Sequence, residues 1–245
     1  GPAIPPGTTL FQITDDPAAA AMAPVGESLL ATLDLAVSQL LDLIGASNRE
    51  MPAPMRRPAL PTPSDPPSPA FVLHALSEAM PEDAVLVEEA PSHRPAMHDE
   101  LPIRRAGTFY AGAGGGLGWG LPAAIGVSLA DRTRPVVCLI GDGSSMYSIQ
   151  ALWTAAQHRL PLTVVVLNNG GYGALRSFSK LLDVANPPGV DLPDLDIVSI
   201  ARGFGCTAGR IDSADGLVDR LRNAITSEHP TVLDVTVEAV VPALY

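Results

Sequence analysis

Apolar positions along the chain follow two different periods. Leu33, Ala36, Val37, Leu40, Leu41 and Ile44 recur at helical spacing, which predicts a helix over 32–44 with Gly45 as its stop. A short run at 9–14, TLFQIT, predicts a strand just before it. One strand and one helix cannot bury their apolar faces alone, so residues 1–45 read as the end of a larger α/β domain that begins outside this chain.

Residues 46–67 contain the stretch MPAPMRRPALPTPSDPP, where proline denies both helix and central strand, and they read as an extended linker. Ser68 followed by Pro69 has the pattern of a helix N-cap and first helical residue, with AFVLHALSEAM continuing the helix. From there strands alternate with helices. The strands are predicted at 84–90, 108–112, 135–141, 162–169, 206–211 and 231–237, and the intervening helices at 93–100, 117–130, 145–158, 196–203 and 213–227. Residues between 170 and 195 form a looser stretch. Strands such as PVVCLIG and LTVVVLNN are apolar on both faces, so the fold class is α/β with a doubly wound parallel sheet, occupying 68–245. There is no internal repeat.

Composition narrows the functions this fold could serve. The net charge is −11 and the 15 Lys and Arg residues form no basic block, which argues against nucleic acid and against anionic membrane as partners. No apolar run reaches the roughly 18 residues of a membrane span, and no signal-peptide pattern is present. Cys138 and Cys206 lie in strand-like stretches and read as buried free thiols of a reducing compartment, which places the protein in the cytoplasm.

The chemistry concentrates at the ends of two consecutive strands. One ends in Gly141-Asp142-Gly143, the other in Asn168-Asn169, with residues 144–167 between them forming a helix and the return strand. A right-handed crossover makes the two strands parallel, so Asp142 and Asn169 emerge together at the carboxyl edge of the sheet, where ligands of open α/β sheets bind. One carboxylate, one amide oxygen and backbone carbonyls freed by glycine form a hard donor set suited to Mg²⁺, which completes its shell with phosphate and water. A diphosphate ligand is implied, with Gly141 and Gly143 letting backbone N–H groups approach its oxygens. Gly118-Trp119-Gly120-Leu121-Pro122-Ala123 also satisfies the dinucleotide fingerprint G-x-G-x-x-A, but more glycines separate it from the preceding strand and no acidic residue follows at the required place. Trp153 reads as core or subunit interface.

GDG, the 144–167 spacer and NN resemble the thiamine diphosphate motif. Together with GGGLGWGLPAAIGVSLA, YSIQALWTAAQHRLPLTVVVLNNGGYGALRSF and PGVDLPDLDIVSIARGFG, they resemble the benzoylformate decarboxylase group of the thiamine diphosphate-dependent 2-keto acid decarboxylase family along nearly the whole chain. The resemblance implies a diphosphate-binding domain at 68–245, preceded by a fragment of a Rossmann-like middle domain at 1–45. It implies thiamine diphosphate and Mg²⁺, with Ca²⁺ as a substitute metal, and assigns the metal to Asp142, Asn169 and the carbonyl of Gly171, where relatives often carry threonine without consequence if only the backbone is used. Ser92, His93, Ser144 and Tyr172 match positions lining the diphosphate. Leu117 matches the apolar residue beneath the bent cofactor, and the Gly115 carbonyl the acceptor for its amino group. Ala174, Leu175 and Phe178 match an aryl pocket wall, but Ala111 stands where close relatives have phenylalanine and Ser177 where they have tryptophan.

The activity implied is non-oxidative decarboxylation of a 2-keto acid, benzoylformate to benzaldehyde and CO₂, by a homodimer at least and usually a homotetramer. The alternatives are acetolactate synthase-like carboligation and a non-catalytic cofactor-binding partner chain. In this family the glutamate that activates the pyrimidine, and the serine and histidines that handle substrate protons, precede the region matched here, so the chain alone is expected to be catalytically incomplete. His74, His98, His158 and His229 are expected in solvated or capping positions.

Overall fold

The computed structural model describes residues 4–50 and 59–239. The chain forms two compact units, residues 1–55 and 56–245. Part of the expected linker, residues 51–58, lies outside the described residues.

The first unit contains β1 (Phe11–Thr14), α1 (Pro17–Ala21), β2 (Glu27–Leu30) and α2 (Leu33–Leu43). β1 and β2 are parallel, with Phe11 opposite Glu27 and Thr14 opposite Leu30. The sequence pattern missed α1 and β2: PAAAA is too short for periodicity to register, and Asp16, not an apolar face, starts the helix by accepting a hydrogen bond from the Ala18 N–H at 2.8 Å. α2 forms as expected but ends differently. Ile44 takes an extended conformation as C-cap, and Gly45 does not adopt the left-handed geometry expected of a helix stop. Of the predicted apolar face only Ala36 is buried; Leu33, Leu41 and Ile44 remain exposed.

The second unit opens with α3 (Pro69–Ala79), capped by Ser68, whose hydroxyl accepts from the Phe71 N–H at 3.2 Å. The stretch before it is tied down: Ser64 Oγ donates to Glu238, and Asp65 accepts from the Ala214 N–H. There follow β3 (Val85–Glu89), a 3₁₀ turn at Pro91–His93, α4 (Arg94–Glu100), β4 (Phe109–Ala111), α5 (Gly120–Ala130), β5 (Val136–Gly141), α6 (Asp142–Ser145), a 3₁₀ turn at Ile149–Ala151, α7 (Leu152–Gln157), β6 (Leu162–Asn168), α8 (Gly173–Leu181), α9 (Ile197–Gly203), β7 (Thr207–Ile211), α10 (Leu217–Ile225) and β8 (Thr231–Thr236). The six strands β3–β8 form one sheet of order β4-β3-β5-β6-β8-β7, parallel throughout. Two departures from the sequence reading matter for the site. The helix expected over 145–158 is broken into α6, a turn and α7, and α8 occupies part of the stretch read as loose.

The doubly wound expectation holds, and the side-chain alternation of β5 shows why. Val137 and Leu139 join a core cluster with Val72, Leu73 and Leu76 of α3 and Leu217 and Leu221 of α10. Val136, Cys138 and Ile140 face the other way, against Leu121 and Ile125 of α5 and Leu152 of α7. Both cysteines are free and buried, and burial raises both thiol pKa values, that of Cys206 to about 11. Among the described residues no helix is long and apolar enough to cross a membrane.

The chain leaves β3 toward β4 on one side and β5 toward β6 on the other, so the strand order reverses between β3 and β5. That reversal opens a crevice at the carboxyl ends of these strands. Leu139 is fully buried on the central strand, so Leu139→Ala should lower unfolding stability by about 3 kcal/mol in denaturant titration; a change below about 1 kcal/mol would contradict this account of the core.

Candidate active site at the carboxyl edge of the sheet

Asp142 directly follows β5, and Asn169 directly follows β6. Asp142 is 2% and Asn169 7% exposed. The carboxylate accepts from the Gly143 N–H at 2.9 Å through Oδ1 and from the Gly171 N–H at 2.8 Å through Oδ2. That same Gly171 N–H reaches Asn169 Oδ1 at 3.2 Å, so the two side-chain oxygens converge on one point. Burial raises the pKa of Asp142 to about 6 against the lowering effect of these hydrogen bonds.

A dry carboxylate with no cationic side chain on it fits a metal ion that supplies the missing charge; among the described residues no Lys, Arg or His pairs with Asp142. The described residues also contain no group of three or more His, Cys, Asp or Glu side chains placed to hold a metal by themselves. A cation here would therefore use Asp142, the Asn169 amide oxygen, the Gly171 carbonyl and oxygens of a ligand, a set suited to Mg²⁺.

These residues border a cavity of about 680 Å³. Ser92, His93, Gly141, Gly143, Ser144 and Tyr172 also line it. His93 is buried and its Nε2 has no partner, and desolvation lowers its pKa to about 4, so the ring is neutral at pH 7 and leaves an unsatisfied polar atom in a residue that lines the cavity. The Tyr172 ring covers Gly143 so closely that a Cβ there would lie 2.5 Å from it. Burial, with the neighbouring Tyr147 and Asp142, raises the Tyr172 pKa. Gly115 and Leu117, on the loop before α5, line it as well, and Ala174, Leu175 and Phe178 of α8 contribute an apolar stretch of its wall.

Of the positions matched to the pocket, Ser177, buried in α8, does not line the cavity, and neither does Ala111. It ends the edge strand β4, exposed, while its neighbour Gly112 lines the cavity. Gly171 also departs from expectation, because a side chain there is not harmless: a Cβ would collide with the Val190 carbonyl oxygen. The cause is a bridge between Gly171 and Asp191, which brings the Tyr172 N–H to Val190 at 2.8 Å.

The sequence reading passed over several lining residues. Glu89, at the end of β3, accepts from the Gly118 N–H at 2.7 Å and also from the Gly120 N–H, pinning the loop that carries Gly115 and Leu117. Glu88 accepts from the Ala90 N–H and from Arg94. Two acids in an apolar run are costly to bury unless partnered, and that was the available signal. His98 is exposed, as expected, and also borders the cavity, as do Trp119 and Tyr147. His74 instead pairs with Glu100. Trp153 is exposed, so it is not core.

The parallel sheet and the oxygen-rich crevice at its switch point define a class: α/β domains that hold a phosphorylated cofactor at the carboxyl edge. Residues 91–235 match the family described as "Thiamine pyrophosphate enzyme, C-terminal TPP binding domain". The chain is 39% identical over 243 residues to a benzoylformate decarboxylase of Pseudomonas aeruginosa, covering 99% of this chain and 46% of that protein. It is 34% identical over 215 residues to a putative acetolactate synthase large subunit, IlvX, of Mycobacterium tuberculosis, covering 84% and 41%. Among solved structures it is similar to the thiamine diphosphate-dependent 4-hydroxybenzoylformate decarboxylase of Rhodococcus jostii RHA1, with TM-score 0.92, 35% identity and coverage of 99% and 46%. It is also similar to the benzoylformate decarboxylase of Polynucleobacter necessarius, with TM-score 0.87, 37% identity and coverage of 98% and 46%. The chain belongs to the thiamine pyrophosphate enzyme family and carries its C-terminal cofactor-binding domain. It spans about half the length of the relatives it matches.

Because the Val190 carbonyl closes the space over Gly171, Gly171→Ala should displace the bridge and lower unfolding stability by about 1–3 kcal/mol in denaturant titration. Unchanged stability would show that the bridge yields freely.

Proposed function

We propose that this chain is the diphosphate-holding part of a thiamine diphosphate- and Mg²⁺-dependent decarboxylase that converts an aryl 2-keto acid, benzoylformate in particular, to benzaldehyde and CO₂. The carrying observation is the convergence of Asp142 and Asn169 on the Gly171 N–H beside a cavity that Ala174, Leu175 and Phe178 also line. In this reading Asp142, Asn169 and the Gly171 carbonyl hold the metal. Ser92, His93, Ser144 and Tyr172 receive the diphosphate with the N–H groups of Gly141 and Gly143, the orphaned His93 nitrogen among them. Leu117 supports the bent cofactor and the Gly115 carbonyl orients its amino group; Leu175, Phe178 and Ala174 face the aryl group and exclude water from it. When bound, thiamine diphosphate supplies the electron sink that decarboxylation requires.

The intact enzyme is proposed to be a homodimer at least, and a tetramer in the manner of its family. The exposed aromatics Trp119 and Tyr147 at the cavity rim suit burial by a second subunit. The buried thiols suit a reducing compartment, the cytoplasm. The similarity to an acetolactate synthase subunit supports a second reading in which the same site joins two keto acids. Incubating the intact enzyme with thiamine diphosphate, Mg²⁺ and a panel of 2-keto acids separates the readings: aryl aldehyde and CO₂ support decarboxylation, acetolactate from pyruvate supports carboligation, and no product from any acid supports a non-catalytic chain.

Asp142→Ala should weaken Mg²⁺ binding in the presence of thiamine diphosphate by more than about 100-fold, since direct ligands outweigh outer partners worth 10–100-fold. The pH dependence follows from burial. Without metal the folded pKa of Asp142 is about 6, above its ordinary 3.8, so ionisation costs the folded state stability as pH rises from about 4 and the cost is complete above about 6. A bound cation favours the ionised form, so apparent Mg²⁺ affinity should be flat above pH 7 and fall as pH drops through about 6. Affinity independent of pH between 5 and 8 would contradict the assignment. Leu175→Ala should change the ranking of 2-keto acids by about tenfold in kcat/KM while leaving cofactor affinity within about threefold; an unchanged ranking would remove the pocket wall from the account.

A further inference from the structure

The sequence places two asparagines together, and the reading above uses only Asn169. Asn168 is the last residue of β6, and both ends of its amide are engaged. Its Nδ2 donates to Asp234 Oδ1 at 2.9 Å, and its Oδ1 accepts from the Gly170 N–H at 3.1 Å. Its backbone carbonyl also accepts from the Val237 N–H at 2.9 Å. Asp234 sits in the middle of β8 with no exposed surface, and Arg210 of β7 donates to its other oxygen from Nε at 3.1 Å and from Nη2 at 3.0 Å. Arg210 is opposite Asp234 in the β7–β8 register, and Asp234 is opposite Val166, two residues before Asn168. The pleat therefore puts all three side chains on one face of the sheet.

Asp234 is a fully buried carboxylate, while its partner Arg210 is 45% exposed on the edge strand β7, and a charge buried at that cost calls for an explanation beyond stability. The geometry supplies one. A carboxylate only accepts, so Asp234 forces the Asn168 amide to turn its Nδ2 inward and its oxygen toward the Gly170 N–H. Gly170 then takes φ +71°, and the next N–H, that of Gly171, is aimed at Asp142 and Asn169. An aspartate at 168 could not make this connection, because it would set two carboxylates against each other.

We propose that Asp234, Arg210 and Asn168 are positioning residues: a clamp on the far side of the 168–171 loop that sets the angle at which Asn169 and the Gly171 carbonyl meet the metal. The inference rests on the metal reading above. Outer partners of metal ligands are typically worth 10–100-fold in metal affinity. In the intact enzyme saturated with thiamine diphosphate, Asn168→Asp should weaken Mg²⁺ binding by about tenfold or more, read as quenching of tryptophan fluorescence on titration, because Trp119 lines the cavity.

The double variant Asn168→Asp/Asp234→Asn reverses donor and acceptor, keeps the net charge and leaves Arg210 an amide oxygen, so it should return Mg²⁺ affinity to within about threefold of the parent. That rescue is not expected of a side chain that serves only general stability. If Asn168→Asp does not fold, Arg210→Gln on the edge strand carries the test, with a loss of affinity at unchanged secondary structure supporting the clamp. Parent-like Mg²⁺ binding in the folded single variants, or no rescue in a folded double variant, overturns it. Asp142→Ala separates the two levels. If it loses Mg²⁺ binding while the clamp variants keep it, only the clamp fails; if it binds Mg²⁺ normally, the metal reading itself fails.

Discussion

The site is organised around a carboxylate that the fold buries without giving it a cation. Asp142 stands at the tip of a central parallel strand, held by two backbone N–H groups and shielded from water, and burial alone raises its pKa to about 6. A negative group in that setting is tolerated if the working state brings a counter-charge. The surrounding donors are oxygens, and only one carries formal charge. In the proposed reading a divalent ion that also holds an anionic diphosphate would answer that combination, because a second carboxylate would repel the ligand.

The rest of the domain delivers the partners of Asp142 to within reach. Parallel pairing of β5 and β6 brings two strand tips to one edge, and the reversal of strand order beside β3 opens the space above them. Glu89 pins the glycine-rich loop from one side, and Gly171, closed in by Val190, fixes the loop after β6 from the other. The Asp234–Arg210–Asn168 set extends this logic through the sheet. In that proposal the buried carboxylate of Asp234, costly to bury unless partnered, serves with its two partners as a support of the loop's geometry.

Much of this was legible in the sequence because it depends on strand periodicity and glycine placement. PVVCLIGDG and LTVVVLNN announce two buried strands and their tips without ambiguity, and SerPro at 68–69 announces a helix start. What escaped has physical reasons. α8 is amphipathic but only nine residues long and opens at Gly173 directly after a glycine-rich turn, so its pattern covers too few turns to mark a helix. α1 and β2 are short and nearly unburied, with no apolar periodicity to reveal them. Glu88 and Glu89 look like the solvated end of a strand until their partners Arg94, Gly118 and Gly120 fold back onto them. Ala111 was placed by analogy, and the geometry of an edge strand sends it outside the cavity.

The most direct test is a crystal structure of the intact enzyme grown with thiamine diphosphate and Mn²⁺, with the ion located by anomalous scattering. The account predicts one peak within direct coordination distance of the Asp142 carboxylate, the Asn169 amide oxygen, the Gly171 carbonyl and both phosphates of the cofactor. A peak bound elsewhere, or a diphosphate seated in the cavity with no ion between it and Asp142, would contradict it.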